Sequence, residues 1–595
     1  MQLANTSMKK LHFISCLIIV AITAMSSIAA PPPYERPDVY RINKVNPHSA
    51  NCPSDNSSYH ILLNRGWRVC RYATPKQAIA FAESRSSMTR LRTVTLPATW
   101  PNDDSITVVS TEITLPTEWR GRNTRIKFGA AGPAMHLYVN GRMAGYSEDS
   151  YTPAEWDITK LLNEGRNRLT LCIYSKSDAT DIEPQETPRG ITRDVELISL
   201  PPLHIMDYNL HTSIDDNGNG LMDLTVDLSD EVRGGQRIEI VVTDTSLHTS
   251  HILLKRSLPL AQKDWFASFS EKDNTIGPVV AWSAAHPHLY QLDIRFYNAS
   301  DNIIHSVSTP IGFCRLREEN QLWCINGCPL QIRGIAWDEP LPRPTPEVLR
   351  ETLDSIKQCG YNLIRLQRPA SELFYTLCDQ IGLMVWNCCA IATRQHAVID
   401  NDEYEEAIIY RAFNLMRRDR SHPCIIAWGV NDGMPTGYCT KQIERFFSGR
   451  DAMRPFICRP MGASNNLCLK EKQSMDYLDI IGRNPNGRSY LLIVDDTIEA
   501  TRYAALWDTI ARYPALQGMV CGHWNSLTEA QRAAHLRIAH RIAPAVPCSE
   551  LLPAIEEPAT IVRTEATKTE DDKLIIDKPK HKGFFGWLKS LFMAN

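Results

Sequence analysis

The residues best suited to chemistry are three aspartates. Asp432 follows Asn431 where the run CIIAWGV (424–430) stops before Gly433, and Asp495 and Asp496 close the run SYLLIV (489–494). Both runs are apolar on each face, as strands of a doubly covered parallel sheet are. In barrel-type sheets the carboxyl ends of the strands carry the reacting groups. Two carboxylates delivered to one rim suit cleavage of a glycosidic bond, where an acid and a nucleophile or base flank the scissile linkage.

The elements that must position them begin near residue 326, where strand–helix alternation sets in. QIRGIA, NLIRLQ, LMVWN, CIIAWGV, RPFICRP, YLDIIG, SYLLIVD and GMVCGHW are the eight candidate strands. Thr345-Pro346 caps and opens the first helix and Gly360 stops it. Helices are expected from Ser371 to Gln380, about Asp402 to Arg418, near Gln442, and about Ile498 to Tyr513. This is the rhythm of a (β/α)8 TIM barrel over residues 314–545. The alternative, a doubly wound open sheet, lacks a glycine-rich phosphate loop after its first strand.

Upstream the pattern is β. Residues 31–202 read as an extended proline-rich lead followed by a jelly-roll β-sandwich, with Asn140-Gly141 as a tight hairpin turn. Residues 203–313 carry strands spaced for an immunoglobulin-like β-sandwich, and DDNGNG (215–220) is a turn without the distant acidic ligand of a calcium loop.

Composition narrows the class. The 595 residues carry a net charge of −3 and 22% charged residues, which gives no electrostatic case for nucleic acid. Lys9-Lys10, the apolar run Leu11–Ala24 and Ser27-Ile28-Ala29 form the three parts of a signal peptide over residues 1–30. The expected location is therefore exported, periplasmic or extracellular; a membrane anchor is the alternative, although the run is short for a span. The 17 cysteines are scattered, without paired CxxC motifs, so buried thiols and a few disulfides are expected and zinc is not. Residues 546–595 form a tail whose end sets Phe584, Phe585, Trp587, Leu588 and Phe592 beside lysines. That cluster fits a membrane surface, a protein partner or its own barrel.

From these segments the chain resembles glycoside hydrolase family 2, its β-galactosidase branch in particular, over roughly residues 34–530. YERPDVYRINKVNPHS resembles the lead. HLYVNGRMAGYSEDSYTPAEWDIT, NEGRN and GITRDVELI resemble the jelly-roll signature, and AWSAAHPHLYQLDI and IGFCRLR the second sandwich. INGCPLQIRGI, FYTLCDQIGLMVW, RRDRSHPCIIAWGVND and LQGMVCGHW resemble the barrel.

The resemblance implies a carbohydrate partner and a set of site residues, and the departures fall on those residues. The family's acid/base glutamate, which follows an Asn, stands here as Asp432, and its nucleophile glutamate as Asp495, with Asp496 next in line. Trp337 and Asp338 occupy the first barrel loop in place of a sugar-binding His, and Arg368 replaces a second one. The cluster that holds magnesium in β-galactosidases reads NCCAIATR, with Cys388, Ala392 and Arg394 in the ligand slots, so no metal or cofactor is expected.

Asn431 is expected to touch a sugar hydroxyl, Arg365 to line the mouth, and Trp524 to offer its face to a pyranose. Arg368 with Arg394 suits an acidic or sulfated sugar; the plainer role is pairing with Asp338, Glu339 or the aspartates. His422 is expected to be structural.

Retaining hydrolysis needs carboxyl groups about 5–5.5 Å apart, and a wider gap of about 6.5–9.5 Å suits inversion. Two shortened acids leave two readings open: a glycosidase of reduced or altered activity, or a non-catalytic relative that binds a glycan or another partner.

Overall fold

The structure is a computed structural model that describes residues 32–49, 57–84, 88, 91–101, 103–177, 189–246, 250–270, 276–320, 322–391, 396–430, 437–457, 468–470, 490–493, 500–512 and 516–541. The chain divides into two compact units, Met1–Leu552 and Pro553–Asn595, and the second lies wholly outside the described residues. So do the expected signal peptide and the Phe584–Phe592 cluster.

The first sandwich packs a seven-stranded antiparallel sheet on a four-stranded one. Alternation puts Val109, Leu137, Leu169 and Leu171 of the larger sheet, and Ile126, Phe128, Trp156 and Leu197 of the smaller, into one core. Asn140 and Gly141 both take positive φ, 53° and 81°, joining Ala134–Val139 to Arg142–Ser147 by the turn that Asn-Gly favours. A small sheet of Ala98–Thr99, Gly190–Ile191 and Ala131–Gly132 closes one end. The lead adds its strand Arg41–Ile42 to the edge of the large sheet. The lead also touches the other two domains, with Tyr40 against Tyr410 of a barrel helix and the Ser49 amide 2.6 Å from Asp207 of the second sandwich.

In the second sandwich burial alternates residue by residue along Asn219–Leu228 and Tyr290–Tyr297, as period-two strands require. Two four-stranded sheets enclose a core that includes Leu224, Val226, Ile240, Leu292, Ile294 and Phe313.

The third region is an eight-stranded parallel sheet. Its strands are Ile332–Ala336, Leu363–Arg365, Met384–Cys389, Ile425–Val430, Phe456–Ile457, Cys468–Lys470, Tyr490–Ile493 and Leu516–His523. They neighbour one another in the order 5-4-3-2-1-8-7-6, the consecutive order of a barrel read from the gap between its fifth and sixth strands. Strands three and four are buried along their whole length, as helices on the outside demand.

The helices start and stop where local chemistry directs. Thr345 caps Pro346–Gln358, and Gly360 follows at φ 87°. Ser371 caps Glu372–Ile381, and Gly382 ends it in the left-handed conformation. The helix expected from Asp402 begins as a tight turn, Asp402–Tyr404, capped by Asn401, and becomes α-helical only over Glu405–Asp419. The described strand beside Tyr490–Ile493 is Cys468–Lys470; the run YLDIIG (477–482), expected as the sixth strand, lies outside the described residues. Three residues of mixed polarity carry no period of their own, so the neighbouring strand defines this one.

Candidate functional site

All eight strands run parallel, so the chain leaves Val430 and Ile493 at the same end of the sheet as Ala336, Arg365, Cys389 and His523. Asn431, Asp432, Asp495 and Asp496, with Ala392 and Arg394, lie outside the described residues. The described part of the mouth is the arc made by strands eight, one, two and three.

Trp337 follows the first strand. Its amide donates to the Arg365 carbonyl at 3.1 Å, which ties the first two strand ends together. Its ring is 2% exposed and stacks on Phe374 of the second barrel helix, 5.6 Å between centroids. Asp338, next in the chain, accepts the Gln367 amide at 2.8 Å and the Arg368 amide at 3.3 Å, so its carboxylate caps the loop after the second strand. Arg365 is buried, with its guanidinium 4.7 Å from the centre of the Trp386 ring. That stacking is attractive between a cation and an indole face.

Arg368 is half-buried. Its Nη2 donates to the Glu339 carbonyl at 3.3 Å, and the guanidinium lies 5.8 Å from the Tyr151 ring centre. Trp524 follows the eighth strand and is 4% exposed, with Arg532 4.0 Å over its ring and Tyr361 edge-on at 6.3 Å. Between them Gln367 reaches exposed His523 at 3.3 Å, bridging strands two and eight across the rim. Trp337, Asp338, Arg365 and Arg368 thus share one quarter of the mouth, whereas the Trp524 ring, expected to face a sugar, packs between Arg532 and Tyr361.

The wall beside this quarter comes from the first sandwich. Tyr151 packs with Ala390, just past the third strand, and with Leu341 of the first loop. Arg193 enters from the strand Gly190–Ile191 and pairs with Glu339 at 3.2 Å. Burial pulls the Arg193 guanidinium below its ordinary pKa and the Glu339 carboxylate opposes that. Glu339 therefore answers Arg193, not Arg368. Neither Arg193 nor Tyr151 carries a local signal in the sequence that would place it here, because the barrel loops they touch come far later in the chain, 146 and 176 residues on for Arg193.

Beneath the mouth several polar groups pair with one another. Asn387 of the third strand accepts from the Tyr375 hydroxyl and donates to Asp419, each at 2.9 Å, and Asp419 pairs with Arg418. His422 holds Asp379, which also accepts the Cys424 amide, so its role is structural. The Cys389 thiol is buried and pushed well above the usual thiol range by desolvation. Cys328 is disulfide-bonded, whereas Cys378, Cys424 and Cys521 are buried thiols. Among the described residues no three His, Cys, Asp or Glu side chains are grouped to hold a metal ion. Nor is any described helix long and apolar enough to cross a membrane.

Three family models match in succession. They are the sugar binding domain of glycosyl hydrolases family 2 over residues 86–201, a second family 2 domain over 203–313, and the family 2 TIM barrel domain over 316–481. Among solved structures, Bacteroides uniformis β-glucuronidase 2 is 18% identical with a TM-score of 0.63, the match covering 78% of this chain and 65% of that one. This chain thus spans less than two thirds of that protein's length. A β-glucuronidase from an uncultured Clostridium sp. is 16% identical with a TM-score of 0.67, covering 83% and 100%. The Ruminococcus gnavus β-glucuronidase is 15% identical with the same TM-score, covering 83% and 99%. At these identities the likeness speaks for a shared fold.

Proposed function

Because this chain belongs to glycoside hydrolase family 2, we propose that it is an exported protein that engages a glycan at its barrel mouth, with β-galactoside hydrolysis reduced, altered or lost. The observation that carries this reading is the pair Asp432 and Asp495 at the two stations where the resemblance expects glutamate. Each substitution draws the carboxyl back by about one C–C bond, ~1.5 Å. A misplacement of about 1 Å costs around a hundredfold in rate. In the described mouth, Asp338 is engaged by two backbone amides and Glu339 by Arg193.

A specific observation favours an acidic sugar over a neutral one. Arg368 brings a cation to a position where the family resemblance expects a sugar-binding His. The structural neighbours named above are β-glucuronidases, which supports the same direction. Export rests on the charged, apolar and small-residue pattern of residues 9–29.

The test assays the full chain on nitrophenyl β-galactoside and nitrophenyl β-glucuronide beside a family member that keeps both glutamates. Turnover is expected to be at least about a hundredfold lower, with calorimetry still detecting binding of uronate-containing or sulfated oligosaccharides. Turnover within tenfold of that relative, abolished by Asp432→Asn or Asp495→Asn, would show a competent enzyme. Failure to bind any of these glycans would refute glycan engagement.

A further inference from the structure

The first two barrel loops are held by a residue that belongs to another domain. Arg193 is 4% exposed and its partner Glu339 2%. One guanidinium meets three segments. Nη1 donates to the Tyr151 carbonyl at 2.5 Å, Nη2 to the Pro369 carbonyl at 2.7 Å, and Nε to Glu339 Oε2 at 3.3 Å. Glu339 in turn accepts the Ser371 amide at 2.9 Å and the Ser371 hydroxyl at 2.5 Å. The loop after the first strand, the loop after the second strand and the Tyr151 loop of the sandwich therefore share one node.

The origin of Arg193 is stiff. The Thr192 amide donates to the Ala130 carbonyl, and the Asp194 carbonyl accepts the Gly129 amide, both at 2.9 Å. From the barrel side, the Arg343 amide donates to the Thr192 carbonyl at 2.9 Å, and its guanidinium pairs with Asp194 at 2.6 Å. Backbone on both sides thus fixes where the guanidinium emerges. The residues it organises are those that face the mouth: Pro369 directly follows Arg368, and Glu339 directly follows Asp338, which holds the Gln367 and Arg368 amides.

We propose that Arg193 is a positioning residue of the barrel mouth: the sugar-binding sandwich sets the placement of Arg368 and Gln367, and so tunes glycan recognition from outside the barrel. Its link to recognition rests on the glycan reading above; its placement of the loop does not.

A lysine is a poor substitute, because three donors on one nitrogen cannot span two carbonyls and a carboxylate as a planar fork does. Removing Arg193 alone would strand the buried Glu339 carboxylate, so the informative variant is Arg193→Met/Glu339→Gln in the full chain. Neither change touches Asp338, the acceptor for Gln367 and Arg368.

Hydrogen exchange read by mass spectrometry is expected to speed up at least tenfold at the Gln367 and Arg368 amides in that variant, and to a smaller degree in Arg193→Lys. The strand Ile425–Val430 should keep its protection. Binding of a uronate-containing oligosaccharide is expected to weaken at least tenfold in the double variant. Unchanged exchange at Gln367 and Arg368 would overturn the positioning role. Faster exchange with unaltered affinity would overturn its link to recognition. If the unaltered chain binds no glycan, the functional reading falls, while the exchange comparison still decides the role of Arg193.

Discussion

A carboxylate acts only as far as its own side chain reaches, and a histidine only while its partner holds its charge. His422 shows the second case. Its Nδ1 lies 2.5 Å from Asp379 Oδ2. Burial by itself lowers the imidazole pKa, but the Asp379 carboxylate, helped by Asp419, brings the net shift upward. A pKa raised on folding stabilises fully below the unfolded value, about 6.5, and that stabilisation is lost as pH rises through the folded value. His422→Asn should therefore cost roughly 1.5–3 kcal/mol near pH 5, as a charge-assisted hydrogen bond does, and clearly less near pH 9. Urea unfolding at both pH values measures this; equal costs would show that the imidazolium charge is not what stabilises.

Elements in this chain end where the backbone must take a conformation that side chains resist. Gly382 closes the second barrel helix at φ 80°, and a Cβ there would stand 2.5 Å from the Ala284 carbonyl of the second sandwich. Lys357 caps the same junction by donating to both carbonyls, Gly382 at 2.6 Å and Ala284 at 2.5 Å. Gly382→Ala should destabilise by about 2 kcal/mol, the left-handed penalty of about 1–2 kcal/mol plus the cost of pushing that carbonyl away. Gly449 is the contrast: it lies in the last turn of the helix Tyr438–Arg450, and a Cβ there would meet nothing within 4 Å. Gly449→Ala should stabilise by about 0.5–1 kcal/mol. Thermal unfolding of the two variants checks both signs, and destabilisation by Gly449→Ala would contradict the open space around it.

At the scale of several domains, buried charge joins the lead, the second sandwich and the barrel. Asp207 of the second sandwich is 2% exposed. It accepts the Ser49 amide of the lead and pairs with Arg417 and, at 3.3 Å, with Arg420 of the barrel. Burial lowers the Arg420 pKa to about 10 while Asp207 works against that loss. Asp207→Ala leaves both guanidiniums short of a counter-charge. Asp227 stays 3.9 Å from Arg417, so the expected cost is about 3 kcal/mol, the low end for a broken buried pair. Denaturant unfolding measures it; a change below about 1 kcal/mol would place the pair with ordinary surface ion pairs.

Some of this was written locally in the chain. Period-two alternation in Asn219–Leu228, the Asn140-Gly141 turn, the Thr345-Pro346 and Ser371 helix starts, and the unbroken apolar strands all follow from interactions within a few residues. These signals, with the quoted segments, were enough for two sandwiches, a barrel and the family. The identity of the shortened acids, Asp432 and Asp495, is likewise a fact of sequence alone. Tertiary structure alone decided that Trp337 stacks on Phe374, that Trp524 lies under Arg532, that Glu339 answers Arg193, and that a three-residue strand at Cys468–Lys470 completes the sheet. The reason is reach: a local pattern states which face of an element is buried, but not which distant side chain will fill the space or balance the charge opposite it.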